Sequence, residues 1–317
     1  MFDLQALARP ELFIDPVNDG RHVLDNRPHM RESIPYLVNL PERQLAILVY
    51  TWVDKDSNAG AMLKIFGAGV GADAIQLVLP DRPVAKDMNF DNWQIENFTL
   101  KQDLTFNRAQ VSWQGEDVSV DYVFEAYHPP YAYGSHPGGC PPYLADERIE
   151  QSGTVKGKLV LRGEEIPLDT TGHRDHSWGT RDWNAMQHYK WFHGQAGNAV
   201  SVHFWEDHAL GKSPMRGYVY KDGLMAEIKA MDLDDIDYNS ELLPQRLNVS
   251  ITDEAGRVTV ISGQFYSNYA VVPDPHFTLN GGVAAMEIDG KPGVGWLEVA
   301  WPKAYIDYIA ASGAYLK

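Results

Sequence analysis

The sequence predicts an all-β protein built from two successive antiparallel barrel or sandwich units. Three observations carry that prediction. Short runs rich in β-branched and aromatic residues recur along the chain, turn signals punctuate them, and one strand pattern returns in the second half. In the first half such runs are Leu45-Ala46-Ile47-Leu48-Val49-Tyr50-Thr51-Trp52 and Val118-Ser119-Val120-Asp121-Tyr122-Val123-Phe124. In the second they are Ala199-Val200-Ser201-Val202-His203-Phe204-Trp205 and the segment Val258–Phe265. Asn58-Ala59-Gly60, Asp222-Gly223 and Asp289-Gly290 are turn signals between them. No sustained apolar stripe with a 3.6-residue period is present, so helices are not expected to build the core. Only Ala304–Leu316 leaves helix and strand both open.

The 317 residues suit two domains better than one. Val49-Tyr50-Thr51-Trp52-Val53-Asp54 is echoed by Val202-His203-Phe204-Trp205-Glu206-Asp207, with the tryptophans 153 residues apart. Each copy follows a turn, Leu40–Arg43 or Gln195–Asn198, and leads to a further strand, Met62–Phe66 or Met215–Tyr220. Duplication of one β-unit is the simplest reading, with domains expected at 1–185 and 186–317. The Pro-, Gly- and Tyr-rich stretch from Tyr127 to Tyr143, which includes Tyr131, reads as a long loop that would serve as a lid or as the mouth of a cavity.

Composition excludes several classes of function. A formal charge of −16, from 43 acids against 27 bases, repels phosphate backbones, and no local basic cluster offsets it, so no nucleic-acid partner is expected. The single cysteine, Cys140, permits neither an intrachain disulfide nor a cysteine-rich zinc module, and it lacks a neighbouring base that would make it a nucleophile. Met1-Phe2-Asp3-Leu4-Gln5 has no basic or apolar leader character, and no run of 18 apolar residues exists. The expected location is the cytoplasm, with no integral membrane segment. Gly67-Ala68-Gly69-Val70-Gly71 lacks the Gly-Lys-Ser/Thr end of a phosphate loop.

Chemistry concentrates in one segment. Thr171-Gly172-His173-Arg174-Asp175-His176-Ser177-Trp178-Gly179-Thr180-Arg181-Asp182-Trp183 holds two His, two Asp, two Arg and two Trp. Buried charges require partners and large aromatics avoid water, so such density needs a reason. In an extended strand His173, Asp175 and Ser177 share one face, and Arg174, His176 and Trp178 the other. One reading is proton transfer: Asp175 or Asp182 orients His176 or His173, Arg174 or Arg181 fixes the carboxylate, and a Trp face steadies a developing cation. A metal site on His173 and His176 is a second reading, disfavoured because this spacing does not share a strand face. A third is an Asp–Arg–His network that only specifies the fold. Downstream, Tyr189, Trp191 and His193 would share a face, as would His203 and Trp205, and could line an apolar cavity.

Asp175-His176-Ser177-Trp178-Gly179 resembles the Asp-His-Asn-Trp-Gly signature of carotenoid 1,2-hydratases (hydroxyneurosporene synthases) and their relatives, among them proteins similar to tocopherol cyclase. The wider stretch from Phe124–Pro130 through Asp146–Gly153 to Arg181-Asp182-Trp183 looks like a bacterial branch of that superfamily. The resemblance implies two tandem lipocalin-like (calycin-type) antiparallel β-barrels, the first carrying the motif. It also implies acid-initiated chemistry on an isoprenoid-like alkene. His176 and Trp178 match active-site positions of the family, and Ser177 stands where the family has Asn.

The resulting expectation is cofactor-independent, metal-free acid–base catalysis on an isoprenoid-, steroid- or polyketide-like molecule, by a hydratase or dehydratase, an isomerase or a cyclase. Asp175 and His176 would form the acid–base pair beside His173, with Arg181 and Asp182 orienting it. Trp178 and Trp183 would pack the reacting carbon, and Tyr131, Tyr189, Trp191, His193, His203 and Trp205 would bind substrate. The alternative is a non-catalytic carrier or sensor of a hydrophobic ligand, whose cavity would be apolar with at most one polar anchor. The oligomeric state stays open, a homodimer included.

Overall fold

The computed structural model describes residues 4–71 and 73–312. The chain divides into two units, the first ending at Arg181 and the second beginning at Asp182, with Pro41–Leu45 and the turn after Phe66 counted with the second. Both are antiparallel and all-β, apart from short 3-10 turns and one terminal helix.

The first unit contains β1 (Met30–Leu40), β2 (Leu45–Asp54), β3 (Asn58–Phe66), β4 (Ile75–Pro83), β5 (Trp93–Ile95), β6 (Phe98–Gln102), β7 (Arg108–Trp113), β8 (Val118–Ala126), β9 (Tyr131–Ala132), β10 (Glu147–Leu161) and β11 (Glu164–Thr180). They form one sheet in the order β4-β3-β2-β1-β11-β10-β8-β7-β6-β5, with β9 added to β10. The first strand thus pairs with the last, as in a barrel, and the ladder is interrupted between β4 and β5. Alternation of buried and half-exposed residues along β2 and β8 sends Ile47, Val49, Val120 and Phe124 to a common core with Leu63, Leu100, Val111 and Val155.

The second unit contains β12 (Met186–Ala196), β13 (Val200–Ala209), β14 (Met215–Lys221), β15 (Leu224–Tyr238), β16 (Pro244–Asp253), β17 (Val258–Asp274), β18 (Phe277–Ile288) and β19 (Lys291–Pro302). These close in sequence order, β19 returning to β12. Phe192 and Phe204, stacked with centroids 4.8 Å apart, fill the interior with Val202, Val219, Leu247 and Leu297. An eight-stranded barrel is just wide enough for side chains to fill it, and here they do.

The echoed tryptophans lie on the second strand of each unit, Trp52 on β2 and Trp205 on β13. The C-terminal segment becomes a helix, α1 (Lys303–Ser312); residues 313–316 of the expected element lie outside the described residues. Among the described residues no helix is long and apolar enough to cross a membrane.

Candidate functional site

β11 is the central strand of the first unit, flanked by β1 and β10, and residues 172–177 are buried on both of its faces. Register fixes the neighbours: Ser152 lies opposite His173, Glu150 opposite Asp175 and Arg148 opposite Ser177 on β10, while Tyr36 faces Arg174 and Glu32 faces Trp178 on β1. Side chains alternate as the spacing predicts. His173, Asp175 and Ser177 take one face; Arg174, His176 and Trp178 take the face that also carries the apolar core.

On the first face the groups form a chain of charge. Arg148 Nη2 donates to Asp175 Oδ2 at 2.6 Å and Arg148 Nε donates to Glu150 Oε1 at 2.6 Å. Tyr133 OH donates to the same Glu150 oxygen at 3.3 Å, and His173 Nε2 stands 2.8 Å from Glu150 Oε2. Ser152 Oγ lies 2.9 Å from His173 Nδ1. Burial pulls the His173 pKa below its usual value, outweighing the attraction of Glu150. A neutral ring with its proton on Nε2 donates to Glu150 and leaves Nδ1 to accept from the Ser152 hydroxyl. Burial also raises the Tyr133 phenol well above its usual range, so it stays a donor. Burial works against the Arg148 cation, yet Asp175 and Glu150 outweigh it and raise its pKa.

On the core face Arg174 donates to Asp19 at 2.8 Å, Gln102 at 3.0 Å and Gln151 at 3.1 Å, with its guanidinium over Phe106. His176 Nε2 is 2.7 Å from Glu32 Oε1, and His22 Nδ1 is 2.8 Å from the same oxygen. Burial raises the Glu32 pKa, but hydrogen bonds from His176 and His22 outweigh it and the net shift is downward. Trp178 stacks on His22 with centroids 3.6 Å apart. The ligand atoms of His22, Glu32 and His176 all lie within 4.8 Å of one another, a set able to hold a cation. Distances of 2.7 and 2.8 Å are those of N–H···O bonds, and a metal would have to displace both protons.

These placements change the expected pairing. Asp175 and His176 are consecutive on a strand and project to opposite faces, so they do not form a pair; each histidine is held by a glutamate instead. Arg181 donates to Leu144 O at 2.7 Å and to Ser177 Oγ at 3.1 Å. Asp182 accepts from Asn184 N at 3.0 Å, capping the 3-10 turn that opens the second unit. Trp183 also belongs to the second unit, 6.1 Å from Phe277. Tyr131 is buried on β9, paired with Glu150 and 6.1 Å from Tyr133.

In the barrel Tyr189, Trp191, His193, His203 and Trp205 do share one face, with Trp191 opposite Trp205 and His193 opposite His203. That face is opposite Phe192 and Phe204, so these residues do not line the barrel interior. Tyr189 OH donates to Glu298 at 2.6 Å, and Trp191 lies 5.4 Å from His193 and 5.7 Å from His203.

Sequence reasoning missed Glu32, Glu150, Arg148, Tyr133, Asp19 and His22. Arg148 and Glu150 lie within the Asp146–Gly153 stretch of the family resemblance, the one signal that pointed near them. The first unit also has a narrow crevice of about 10 Å³ lined by Arg31, Ser33, Ser177 and Arg181 among others. Elsewhere in it an apolar cavity of about 130 Å³ is lined by Leu4, Leu7, Leu12, Phe13, Phe106 and Pro129 among others.

Solved structures with this fold include kievitone hydratase from Nectria haematococca, 12% identical, TM-score 0.62, covering 93% of this chain and 94% of that one. The structure of CghA with Sch210972 is also 12% identical, TM-score 0.61, covering 93% and 98%. At that identity the likeness establishes the fold. No curated protein matches the chain. A family model described as "Domain of unknown function (DUF7064)" matches residues 15–303, and the chain belongs to that family.

Proposed function

We propose that this chain transfers protons to and from a hydrophobic small molecule, as a hydratase, isomerase or cyclase without a cofactor, and that Asp175 is the exchanging group. The observation that carries this reading is a difference in burial within the charged network around Arg148. Glu150 and His173 are fully buried, whereas Asp175, held by the same arginine, keeps 6% of its surface. Glu150 fixes Arg148, and Arg148 fixes Asp175. A carboxylate so oriented can take a proton from a carbon, or deliver one when protonated. Protonation of an alkene followed by capture of water adds H2O; loss of a different proton gives an isomer. Capture by a nucleophile within the molecule closes a ring.

Kievitone hydratase shares the fold, and its name supports a hydratase reading here. The Asp-His-Ser-Trp-Gly motif supports kinship with the carotenoid-hydratase branch and an isoprenoid-, steroid- or polyketide-like skeleton. His176 becomes a positioning residue on the opposite face, held by Glu32.

A second reading, a carrier, is favoured by the apolar cavity, which no ionisable side chain among the described residues lines. Its volume of about 130 Å³ falls short of the roughly 300–1,000 Å³ of ligand pockets. Incubation with an extract of small apolar metabolites in D2O, read by mass spectrometry, separates the two. Deuterium or water gained by a metabolite, and lost with Asp175→Asn, supports catalysis. Co-purified compounds unchanged in mass and isotope content support the carrier.

A further inference from the structure

Proton transfer at Asp175 leaves Arg31 without a task. It lies on β1 directly opposite Gly179. Its guanidinium carbon stands 5.2 Å from the ring centroid of Tyr50 and 5.2 Å from that of Trp52. Arg27, Arg82, Arg148 and Arg174 each meet a carboxylate, but among the described residues Arg31 meets none. Its Nε is buried and has no hydrogen-bond partner. A buried guanidinium nitrogen without an acceptor is costly, and stacking on two rings holds the planar fork in place.

The crevice beside it holds further donors. Ser33 Oγ and Ser177 Oγ are 3.4 Å apart. Ser177 accepts from Arg181 Nη2 at 3.1 Å, and one serine hydroxyl donates to the other, which leaves one proton of the serine pair for a ligand. Gly179, at φ +120°, also lines the crevice, and a Cβ there would clash with Asp146 N.

We propose that this crevice is an anion-binding subsite that seats a carboxylate of the ligand on Arg31, with Ser33, Ser177 and Arg181 beside it. The substrate of the site is then a hydrophobic carboxylic acid. The space admits about one oxygen, which suits one arm of a planar carboxylate, while arginine matches that group with two parallel N–H donors. Ser177 is two residues from Asp175 on one strand face, so the anchored carboxylate lies about 7 Å from the exchanging group. This inference rests on the same face being a ligand site, though not on the proton-transfer step itself.

The test compares 2-naphthoate, naphthalene-2-carboxamide and 2-naphthyl phosphate by calorimetry and by line broadening of the probe's NMR signals. The full chain should bind 2-naphthoate about tenfold more tightly than the isosteric amide, and more tightly than the phosphate. Arg31→Gln should abolish the preference for the carboxylate without weakening amide binding, and Arg31→Lys should retain part of it. Unchanged melting curves for both variants show that the fold is intact. Tightest binding of the phosphate overturns the carboxylate assignment. Equal binding of acid and amide, an unaltered preference in Arg31→Gln, or no binding of any probe at millimolar concentration overturns the subsite. Asp175→Asn should still bind 2-naphthoate, so loss of deuterium exchange with binding intact separates failure of one proposal from failure of the other.

Discussion

Glu150 and His173 meet diagonally across β10 and β11 as a fully buried acid–imidazole pair, Oε2 to Nε2 2.8 Å. The pair sits where two long strands run side by side, and Glu150 also holds Arg148 through its other oxygen. Removing its charge therefore takes a carboxylate from a buried cation that also meets Asp175, and takes the acceptor from a buried imidazole.

Glu150→Gln is expected to cost about 3–5 kcal/mol of stability, the range for breaking a buried ion pair on one side. Urea unfolding checks it. A loss under about 1 kcal/mol would mean that the network is solvated and not buried as described. In a double-mutant cycle with His173→Phe the two losses should fail to add.

His128 gives a pH signature. Burial lowers its pKa from 6.5 to about 3, and its Nε2 accepts from Ser152 N at 3.0 Å while Nδ1 lies 2.6 Å from Pro129 O. The folded state thus binds this proton less readily than the unfolded chain. Stability is fully present above about pH 6.5 and declines as pH falls toward 3, by up to about 1.4 kcal/mol per unit from this group. Replacing His128 with Gln should flatten the decline of the urea midpoint between about pH 6.5 and 4; an unchanged slope would contradict the assignment.

Gly179→Ala should lower the melting temperature. At φ +120° a side chain is strained, and its Cβ would lie 2.3 Å from Asp146 N. Strain of this kind costs on the order of 1–3 kcal/mol. Calorimetry reads it, and a stability equal to wild type would show that the β11 backbone relaxes there.

Much of this architecture is legible in the sequence, for reasons that differ by level. The two-residue period of a strand is enough to assign His173 and Asp175 to one face and His176 and Trp178 to the other. That same period rules out the Asp175–His176 pair, which adjacency along the chain suggests. The true partners are not legible, because they come from register. Glu32 reaches His176 across 144 positions through the pairing of β1 with β11. Periodicity also groups Tyr189, Trp191 and His193 without saying which face of β12 is the core; Phe192 and Phe204 decide that. Ala304–Leu316 is ambiguous because the segment is too short for a 3.6-residue stripe to stand out.

Asp175 carries the central claim, and the direct measurement is the rate at which wild type and Asp175→Asn incorporate solvent deuterium into the metabolite that the D2O screen identifies. The substitution keeps the side-chain shape and, with Arg148 still paired to Glu150, should leave the melting curve within a few degrees of wild type. Proton transfer at Asp175 predicts exchange reduced by about 10²-fold or more in a folded variant. Exchange at the wild-type rate would place the chemistry elsewhere and leave Asp175 a structural partner of Arg148.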